Sequence, residues 1–537
     1  MNFDYNLYHY PSRRNVVFSN KGMVATSVPQ AAKAGADMLK LGGNAVDAAI
    51  ATAATLSVVE PSGNGVGGDA FAIVWIKDEI YGLNASGHSS ENISAEKVKS
   101  LGHEKVPTFG WVPVTVPGTP SAWVALSKRF GKLPLKTVLG PAIEYAKNGF
   151  PLSVMVGRPW ARAWEIYKNS LKDEELHKHW FEHFSIDGRA AQIGEVWKSE
   201  HLAKTLEDIA ETAGESFYRG NIADKIINFS KKTGGFFSYE DFEKFQPEWV
   251  NPISVNYKGY DVWQIPPNGQ GISALMALNI LKGLELDKER DTLRNYHLQF
   301  EAIKLAGIDA REYVTDPNFM KVKAEELLSE AYADERRKLI GEKALTPTIG
   351  KPQGSGTVYL CTADSDGNMV SYIQSNYMGF GSGIVVPETG VSLHNRGNNF
   401  TLEEGHVNII EPRKRPYHTI IPGFLSKNKK AIGPFGVMGG FLQPQAHVQM
   451  VLNMVDFNMN PQDALDAPRW QWMEGKKIDV EGFMPNHLFR QLREMGHQIN
   501  VVDEPMHFGR GQIITRLENG VYCGGTEPRT DGSIYID

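Results

Sequence analysis

The chain has 537 residues, and its 42% hydrophobic and 22% charged content is that of an ordinary soluble globular protein, longer than one small core requires. Its 56 basic and 62 acidic residues give a net charge of −6, which offers no electrostatic reason to expect nucleic acid or an anionic membrane as a partner. The two cysteines, Cys361 and Cys523, exclude a disulfide framework and fit a reducing compartment.

The beginning of the chain contains no targeting signal that we recognise. Met1 to Pro11 lacks the basic region followed by an apolar region that marks a signal peptide. The most apolar helical run, Ala45 to Val59, is shorter than the roughly 20 residues that a membrane-spanning helix needs. We therefore expect a cytoplasmic protein without a membrane partner.

Two alanine-rich helices, Pro29 to Leu41 and Ala45 to Val59, precede a glycine-rich turn and an apolar strand, Ala70 to Ile76. The turn, Gly63 to Gly68, matches G-x-G-x-x-G. A dinucleotide-binding fingerprint follows a strand and opens a helix, whereas this one follows a helix and opens a strand. The order argues against a dinucleotide site.

Leu152 to Phe245 reads as mostly helical and polar. Within it, His179 and His183 lie four residues apart on a predicted helix, close to His177, a spacing that can bind a metal. A third ligand is not recognisable, and the charged flanking residues indicate an exposed helix face. We expect neither a metal nor an organic cofactor.

Helices and strands alternate along the chain, which predicts a layered α/β protein. A linker rich in glycine and proline is followed by a hairpin whose turn is Asp364 to Asn368. The predicted segments are strands over Val255 to Ile265, a loop over Pro266 to Gly271, a helix over Ile272 to Leu284, the linker over Gly341 to Gly356, and strands over Thr357 to Ala363, Met369 to Ser375 and Ala431 to Met438.

Two short motifs each have a functional and a purely structural interpretation. Arg413 to Arg415 is too short for a nucleic-acid patch, so a surface strand or pocket edge is the better interpretation. Gly439 and Gly440 follow a predicted strand and form either a tight turn or a pair of backbone N–H donors for an oxyanion. By itself, the pattern favours neither.

Thr357 begins a strand directly after a flexible linker and has no histidine near it in the sequence. A threonine hydroxyl needs a base, and a threonine at a chain N-terminus can use its own α-amine, whose pKa of about 7.7–8.0 is close to working pH. That arrangement requires prior cleavage of the bond between Gly356 and Thr357. The position is therefore compatible with an N-terminal nucleophile, although threonine is also a common strand residue.

The chain resembles the γ-glutamyltransferase family over most of its length, and its motifs occur in the family order. They are Gly42 to Ala49, Gly65 to Phe71, Val116 to Pro120, Phe217 to Gly220, Pro266 to Gly271, Thr357 to Asn368, Phe380 to Ile384, and Gly439-Gly440. The resemblance implies the αββα sandwich of N-terminal-nucleophile hydrolases, formed by a proenzyme that cuts itself into residues 1–356 and 357–537. These two fragments would stay associated as one intertwined domain, and a homo-oligomer is left open.

The resemblance also implies roles for individual residues. Thr357 matches the nucleophile, and Gly439 and Gly440 match the oxyanion-hole pair. Ser375 stands where the family often has a threonine that supports the nucleophile.

The residues that would read a γ-glutamyl group depart from the family pattern. Ser86 occupies the place of the arginine that binds the α-carboxylate, and Asn399 that of the aspartate that binds the α-ammonium. His418-Thr419 stands in place of the family's Ser-Ser pair, and Tyr377 stands in place of an asparagine that the family has after the hairpin. Either Arg396 or His88 could rebuild the carboxylate site from another direction.

The chain therefore resembles the divergent γ-glutamyltransferase-like branch, and we expect an amide hydrolase or acyltransferase acting on a small-molecule amide. A γ-glutamyl compound such as glutathione is the substrate that the family implies, with weak activity expected here. The alternatives are an amidohydrolase for another amide, of the oxamate or acylase type, and an uncleaved, inactive scaffold protein.

Overall fold

In the computed structural model, which describes residues 7–11, 14–347 and 356–537, the strands are arranged mainly in two seven-stranded sheets. The strands are β1 (Val17–Ser19), β2 (Met23–Thr26), β3 (Asp69–Ile76), β4 (Glu79–Ala85), β5 (Phe150–Pro151), β6 (Ser185–Ile186), β7 (Arg189–Ala190), β8 (Val196–Trp197), β9 (Glu248–Val250), β10 (Ile253–Tyr257), β11 (Tyr260–Gln264), β12 (Gly356–Ala363), β13 (Met369–Tyr377), β14 (Val385–Val386), β15 (Val391–Ser392), β16 (Gly423–Lys427), β17 (Lys430–Met438), β18 (Trp470–Glu474), β19 (Lys477–Glu481), β20 (Gln498–Val502), β21 (Arg510–Arg516), β22 (Tyr522–Thr526) and β23 (Ser533–Ile536).

Helices cover the sheets. They are α1 (Pro29–Lys40), α2 (Ala45–Val59), α3 (Ala95–Ser100), α4 (Thr119–Phe130), α5 (Leu135–Asn148), α6 (Val154–Ser170), α7 (Glu174–His183), α8 (Glu200–Thr212), α9 (Glu215–Arg219), α10 (Asn221–Lys232), α11 (Tyr239–Glu243), α12 (Gly271–Leu281), α13 (Leu293–Tyr313), α14 (Ala324–Leu327), α15 (Glu330–Arg337), α16 (Gln443–Val455), α17 (Pro461–Asp466) and α18 (Asn486–Glu494). In the described part of the chain, none of them is long and apolar enough to cross a membrane.

The layers are helix, sheet, sheet and helix. One sheet has the order β1-β22-β21-β17-β16-β11-β10 and the other β23-β2-β12-β13-β3-β4-β9, and neighbouring strands in both run antiparallel. Their facing surfaces share an apolar core that includes Phe71, Tyr359 and Phe424. Helix α2 packs on the outside of the second sheet, while α12, α13 and α16 share a core with the first. This is the predicted αββα sandwich.

Local sequence explains where α2 begins and why it is central. The side chain of Asn44 accepts hydrogen bonds from the N–H groups of Val46 and Asp47, and the carboxylate of Asp47 accepts one from the N–H of Asn44, which forms a capping box. All residues of α2 are buried, and its alanines let it lie close to the sheet. The predicted bounds of α2 are confirmed.

Helix α12 ends at Leu281, three residues before the predicted end at Leu284. The guanidinium group of Arg337 donates hydrogen bonds to the carbonyls of Asn279 and Ile280, which are otherwise unpaired at a helix C-terminus. This contact between distant residues closes the helix early, and local periodicity could not predict it.

Two expectations about exposure need correction. The charged residues that flank the histidines of α7 are exposed, as predicted, but His177 is buried and its Nδ1 lies 2.9 Å from the carbonyl oxygen of Gly383. Lys414 and Arg415 are also buried and lie outside any strand. Arg415 reaches inward because it donates to the Ser86 carbonyl and forms an ion pair with Glu248.

The predicted linker lies largely outside the described residues, since only its first seven residues, 341–347, and Gly356 are included. The hairpin that follows is confirmed, and β13 continues two residues beyond Ser375 to Tyr377. Each large sheet contains strands from before and after residue 356.

Candidate active site

Thr357 lies at the start of β12 and is fully buried. Its Oγ1 is 3.0 Å from the Oγ of Ser375 on the neighbouring strand, and that Oγ accepts a hydrogen bond of 2.7 Å from the N–H of Tyr377. The pairing of β12 with β13 is irregular between Gly356 and Val358. Such bulges redirect a side chain out of the regular pleat, and this one lies at the candidate cleavage junction.

The glycine-rich turn between α2 and β3 lies directly against these two residues. A Cβ on Gly63 would lie 3.2 Å from the carbonyl oxygen of Thr357, and a Cβ on Gly68 would lie 2.6 Å from that of Ser375. The N–H of Asn376 donates to the Gly63 carbonyl. The glycines therefore permit a close approach of backbones at Thr357, which agrees with the absence of the strand–turn–helix order that a dinucleotide site needs.

Gly439 and Gly440 connect β17 to a 3₁₀ turn, Gly440–Leu442, that leads into α16. Their φ angles are +146° and +59°, which glycine adopts far more readily than other residues. The first N–H groups of a helical turn have no partner within that turn, so the N–H of Gly440 is suited to bind an oxyanion. Nε2 of Gln270 donates to the carbonyl oxygens of Gly440 and Thr419 and holds this turn in place.

The glycine pair directly follows β17, which faces β12, the strand of Thr357, across the two sheets. Gly436, three residues before Gly439, lies against the ring of Tyr359, two residues after Thr357, so closely that a Cβ on Gly436 would overlap that ring. The end of β17 and the start of β12 are therefore close across the sandwich. The sequence placed these motifs about 80 residues apart, and the fold brings them together.

A buried ion-pair cluster lies beside Ser375. Asp69 pairs with Ser375 in the β3–β13 ladder, and its carboxylate accepts hydrogen bonds from Nε (2.9 Å) and Nη2 (3.3 Å) of Arg396 and from Nε2 of His418 (2.7 Å). Nη1 of Arg396 donates to Oγ1 of Thr419 at 2.6 Å. All four of these polar side chains around Ser375 are fully buried.

The cluster has defined protonation states. Burial alone would raise the pKa of Asp69, but Arg396 and His418 outweigh it and hold that pKa well below its usual range. Burial and the neighbouring Arg396 lower the pKa of His418 to about 4. Since the N–H of Ile420 donates to Nδ1 of His418, the neutral ring carries its proton on Nε2, facing Asp69.

The other candidate substrate residues do not all lie together in the structure. Oη of Tyr377 donates to Oδ1 of Asn399 at 2.6 Å, and the guanidinium of Arg396 lies over the Tyr377 ring, so these three residues are together. Ser86 is buried and donates to Oδ1 of Asn84. His88 instead lines a separate cleft, where burial and then Arg415 lower its pKa to about 4.

Three residues near this site were not assigned by sequence reasoning. Asp69 directly follows the glycine-rich turn and could have been suspected from its position. Gln270 lies in a predicted loop whose residues had no assigned role. Arg311, on α13, lines a cleft with Gln270 and with Phe441, the residue after Gly440. Nothing in the local sequence of α13 distinguishes Arg311 from an ordinary surface arginine.

One group of potential metal ligands occurs among the residues that the structure describes: His297, Glu301 and His497. Nζ of Lys304 lies 2.7 Å from Oε1 of Glu301, and both side chains are fully buried. The lysine already supplies the positive charge that this carboxylate needs, so we assign no metal there.

The γ-glutamyltranspeptidase family model matches residues 31–536. The chain belongs to this family. A curated family relative, the glutathione hydrolase-like YwrD proenzyme of Bacillus subtilis, is 36% identical over 529 residues, which cover 96% of this chain and 98% of the relative. The oxamate amidohydrolase proenzyme of Klebsiella pneumoniae is 30% identical over 531 residues, covering 96% and 98%.

Among solved structures, the cephalosporin acylase of Bacillus halodurans is 55% identical to this chain. The two superpose with a TM-score of 0.96, over 100% of this chain and 99% of the acylase. The names of these three similar proteins refer to three different compounds: glutathione, oxamate and cephalosporin. Membership therefore establishes the class of enzyme and leaves the substrate to be argued from the site.

Proposed function

We propose that this protein is an amide hydrolase or acyltransferase that works through Thr357 after self-cleavage makes it an N-terminal residue. The observation that carries this proposal is the buried hydroxyl pair of Thr357 and Ser375, placed at an irregular strand junction directly after Gly356. The glycine pair at the end of β17, held by Gln270, supports the oxyanion hole that acyl transfer requires.

In maturation, Oγ1 of Thr357 attacks the carbonyl carbon of Gly356. The carbon–nitrogen bond breaks, the nitrogen takes up the hydroxyl proton, and an ester joins Gly356 to the Thr357 side chain. Water then hydrolyses this ester, which leaves a carboxylate on Gly356 and a free hydroxyl and α-amine on Thr357. The products are fragments 1–356 and 357–537.

In turnover, the α-amine of Thr357 takes the hydroxyl proton while Oγ1 attacks the substrate carbonyl. The N–H groups of Gly439 and Gly440 stabilise the oxyanion, and Ser375 orients Oγ1 through the 3.0 Å contact. The proton passes to the leaving amine, and an ester to Thr357 remains. Water or an acceptor amine resolves that ester and regenerates the hydroxyl.

For the substrate, we propose an amide other than a typical γ-glutamyl compound. Ser86 and Asn399 carry no charge where the resemblance implies an arginine and an aspartate, so an α-amino acid zwitterion would lose two charged contacts. Arg396, the nearby cation, is engaged with Asp69 and Thr419. γ-Glutamyl transfer should therefore be weak.

The first test is maturation. Purified wild-type protein should give two bands on a denaturing gel, and mass spectrometry should find Thr357 at the start of the smaller fragment. Thr357→Ala removes the attacking hydroxyl and should remain one chain without amidase activity, whereas Thr357→Ser keeps a hydroxyl and should still cleave. Normal cleavage in Thr357→Ala would remove Thr357 from the mechanism, and an uncleaved wild type would favour a binding protein instead.

A further inference from the structure

Glu60 and Arg510 form a buried ion pair beside the candidate active site. Nη1 of Arg510 donates to Oε1 of Glu60 at 2.6 Å, and Oγ of Ser27 donates to Oε2 of the same carboxylate. Both members of the pair are buried, and they are 450 residues apart in the sequence. Since Glu60 precedes residue 356 and Arg510 follows it, the pair joins the two expected fragments.

Glu60 belongs to the turn that supports Thr357. Its carbonyl oxygen accepts hydrogen bonds from the N–H of Gly63 at 3.2 Å and from Nδ2 of Asn64 at 2.9 Å. A Cβ on Gly63 would lie 3.2 Å from the carbonyl oxygen of Thr357 and 3.3 Å from its nitrogen. Because Gly63 is packed so closely against Thr357, a shift of Glu60 is passed on to the backbone of Thr357.

Arg510 lies at the other half of the candidate site, next to the glycine pair. It is opposite Met438 in the β17–β21 ladder, and Met438 directly precedes Gly439. Gly509, the residue before Arg510, is so close to this strand end that an added Cβ would lie 2.4 Å from the Met438 carbonyl oxygen. Opposed residues of a ladder point to the same face of the sheet, so Arg510 extends in the direction of Met438, which packs in the core between the two sheets.

We propose that Glu60 and Arg510 are a positioning pair that fixes the distance between Thr357 and the glycine pair. This inference rests on the proposed function and adds how the two halves of its site are held together. The attack by Thr357 and the binding of the oxyanion at Gly440 occur in one step, and a misplacement of about 1 Å can lower the rate about 10²-fold. A carboxylate and a guanidinium form a short, directional hydrogen bond, whereas apolar side chains in the same place are free to slide.

The decisive variant replaces the pair by apolar residues, Glu60→Leu together with Arg510→Met. Such a replacement leaves no buried charge unpaired and is often neutral or stabilising, so the fold should persist. We expect self-cleavage to be slowed about 10- to 100-fold, and kcat per cleaved molecule to fall by a similar factor with KM unchanged. If the pair served stability alone, this variant would cleave and turn over like the wild type, and the proposal would be overturned.

Self-cleavage is followed on denaturing gels during cell-free synthesis, and turnover by the release of p-nitroaniline from acetyl, butyryl and γ-glutamyl p-nitroanilides. Thermal unfolding reports the stability of each variant. Arg510→Lys keeps a cation that can bind Glu60 and should recover most of both rates. The matched control is Asp309→Leu with Arg336→Met, which removes another largely buried carboxylate–guanidinium pair, between α13 and α15, and should behave like the wild type.

The outcomes separate the two proposals. If the wild type does not cleave, or if Thr357→Ala cleaves normally, the proposed function fails, and this inference fails with it. If the wild type cleaves through Thr357 and the apolar variant keeps the wild-type rates, or loses no more than the control pair, only the inference is overturned. If the wild type hydrolyses none of the anilides, the cleavage rates alone decide.

A second variant covers the case in which the apolar variant does not fold. Glu60→Gln keeps the shape of the side chain and removes its charge, which weakens the hydrogen bond to Arg510. We expect its self-cleavage to be about 3- to 10-fold slower, the difference between a charged and a neutral hydrogen bond. A wild-type cleavage rate in Glu60→Gln overturns the inference.

Discussion

At the scale of single residues, Asp69 joins the parts of the site to one another. It pairs with Ser375 in the sheet, and its carboxylate binds Arg396 and His418. Arg396 in turn donates a hydrogen bond to Thr419. The amide of Gln270 donates to the carbonyls of both Thr419 and Gly440. The substrate-binding role of Arg396 stays a prediction. In the structure, the buried carboxylate of Asp69 neutralises the charge of Arg396.

Gly440 is the residue where a substitution should affect chemistry most specifically. Its φ of +59° lies in the left-handed region, which a β-branched residue adopts only with strain of about 1–2 kcal/mol. We expect Gly440→Val to turn the N–H away and to reduce kcat by about 10²–10³, the typical effect of losing one oxyanion donor. The measurement is kcat per cleaved molecule.

Gly188→Val is the control for backbone strain alone. Gly188 has a φ of +74° and is exposed, and a Cβ added there would meet nothing within 4 Å. This variant should keep wild-type kcat. Equal activity of Gly440→Val and wild type would show that Gly440 does not bind the oxyanion.

At the scale of elements, the glycine-rich turn matches a dinucleotide-binding pattern but packs against Thr357 and Ser375 in this fold. Its glycines let the chain between α2 and β3 lie against β12 and β13, and its carbonyls take part in the contacts: that of Gly63 accepts from Asn376, and that of Gly68 accepts from Gly118 and Thr119. The turn is thus a support for the strand that carries Thr357.

Gly63→Val tests this role. The added Cβ would be within 3.4 Å of the Thr357 backbone, so either the turn or Thr357 must shift by a few tenths of an ångström. Since small misplacements of reacting groups are costly to rate, we expect self-cleavage and kcat to fall by about tenfold or more. A cleavage time course on denaturing gels measures the first effect.

The control is Gly140→Ala, within α5, where a Cβ would meet nothing within 4 Å. It should cleave at the wild-type rate. If Gly63→Val also cleaves and turns over normally, the turn does not position Thr357.

At the scale of the whole molecule, the two large sheets are shared between the segments on either side of residue 356. Strands β2 and β3 are neighbours of β12 and β13, and β11 is a neighbour of β16. Cleavage at Gly356 would therefore leave the fragments joined by sheet hydrogen bonds and by the core between the sheets. We expect them to separate only on unfolding.

Buried histidines predict how this whole assembly responds to acid. Burial lowers the pKa of His447 to about 3. Burial, assisted by Arg396, lowers the pKa of His418 to about 4. Because these folded pKa values lie below the unfolded value of about 6.5, the unfolded chain takes up protons first as the pH falls. Stability is therefore complete above about pH 6.5 and is lost as pH falls from there through about 4 to 3.

Thermal unfolding at pH 7 and pH 5 measures this effect. Each of these histidines contributes at most about 2 kcal/mol of destabilisation over that interval. His447→Gln should shrink the difference in Tm between the two pH values, whereas His487→Gln, which changes an exposed histidine, should leave it intact. An unchanged difference in His447→Gln would contradict the assignment.

Much of the fold followed from local sequence patterns. Helices α1 and α2, the β12–β13 hairpin and the layered α/β class were predictable because capping residues, turn residues and apolar periodicity act within a few consecutive residues. The order of the family motifs added the αββα arrangement and singled out Thr357, Ser375 and the glycine pair as candidates. Errors occurred where a distant side chain intervened, as Arg337 does at the end of α12.

What the sequence by itself determined is therefore the set of elements and the family to which their motifs belong. Only the tertiary structure decided which charges meet: Arg396 binds a carboxylate 327 residues away, and Arg311 comes to lie between the rings of Phe441 and Trp472. Periodicity tells which face of a helix is buried, but not what that face contacts. The partners of long charged side chains depend on how the layers pack, which no local pattern records.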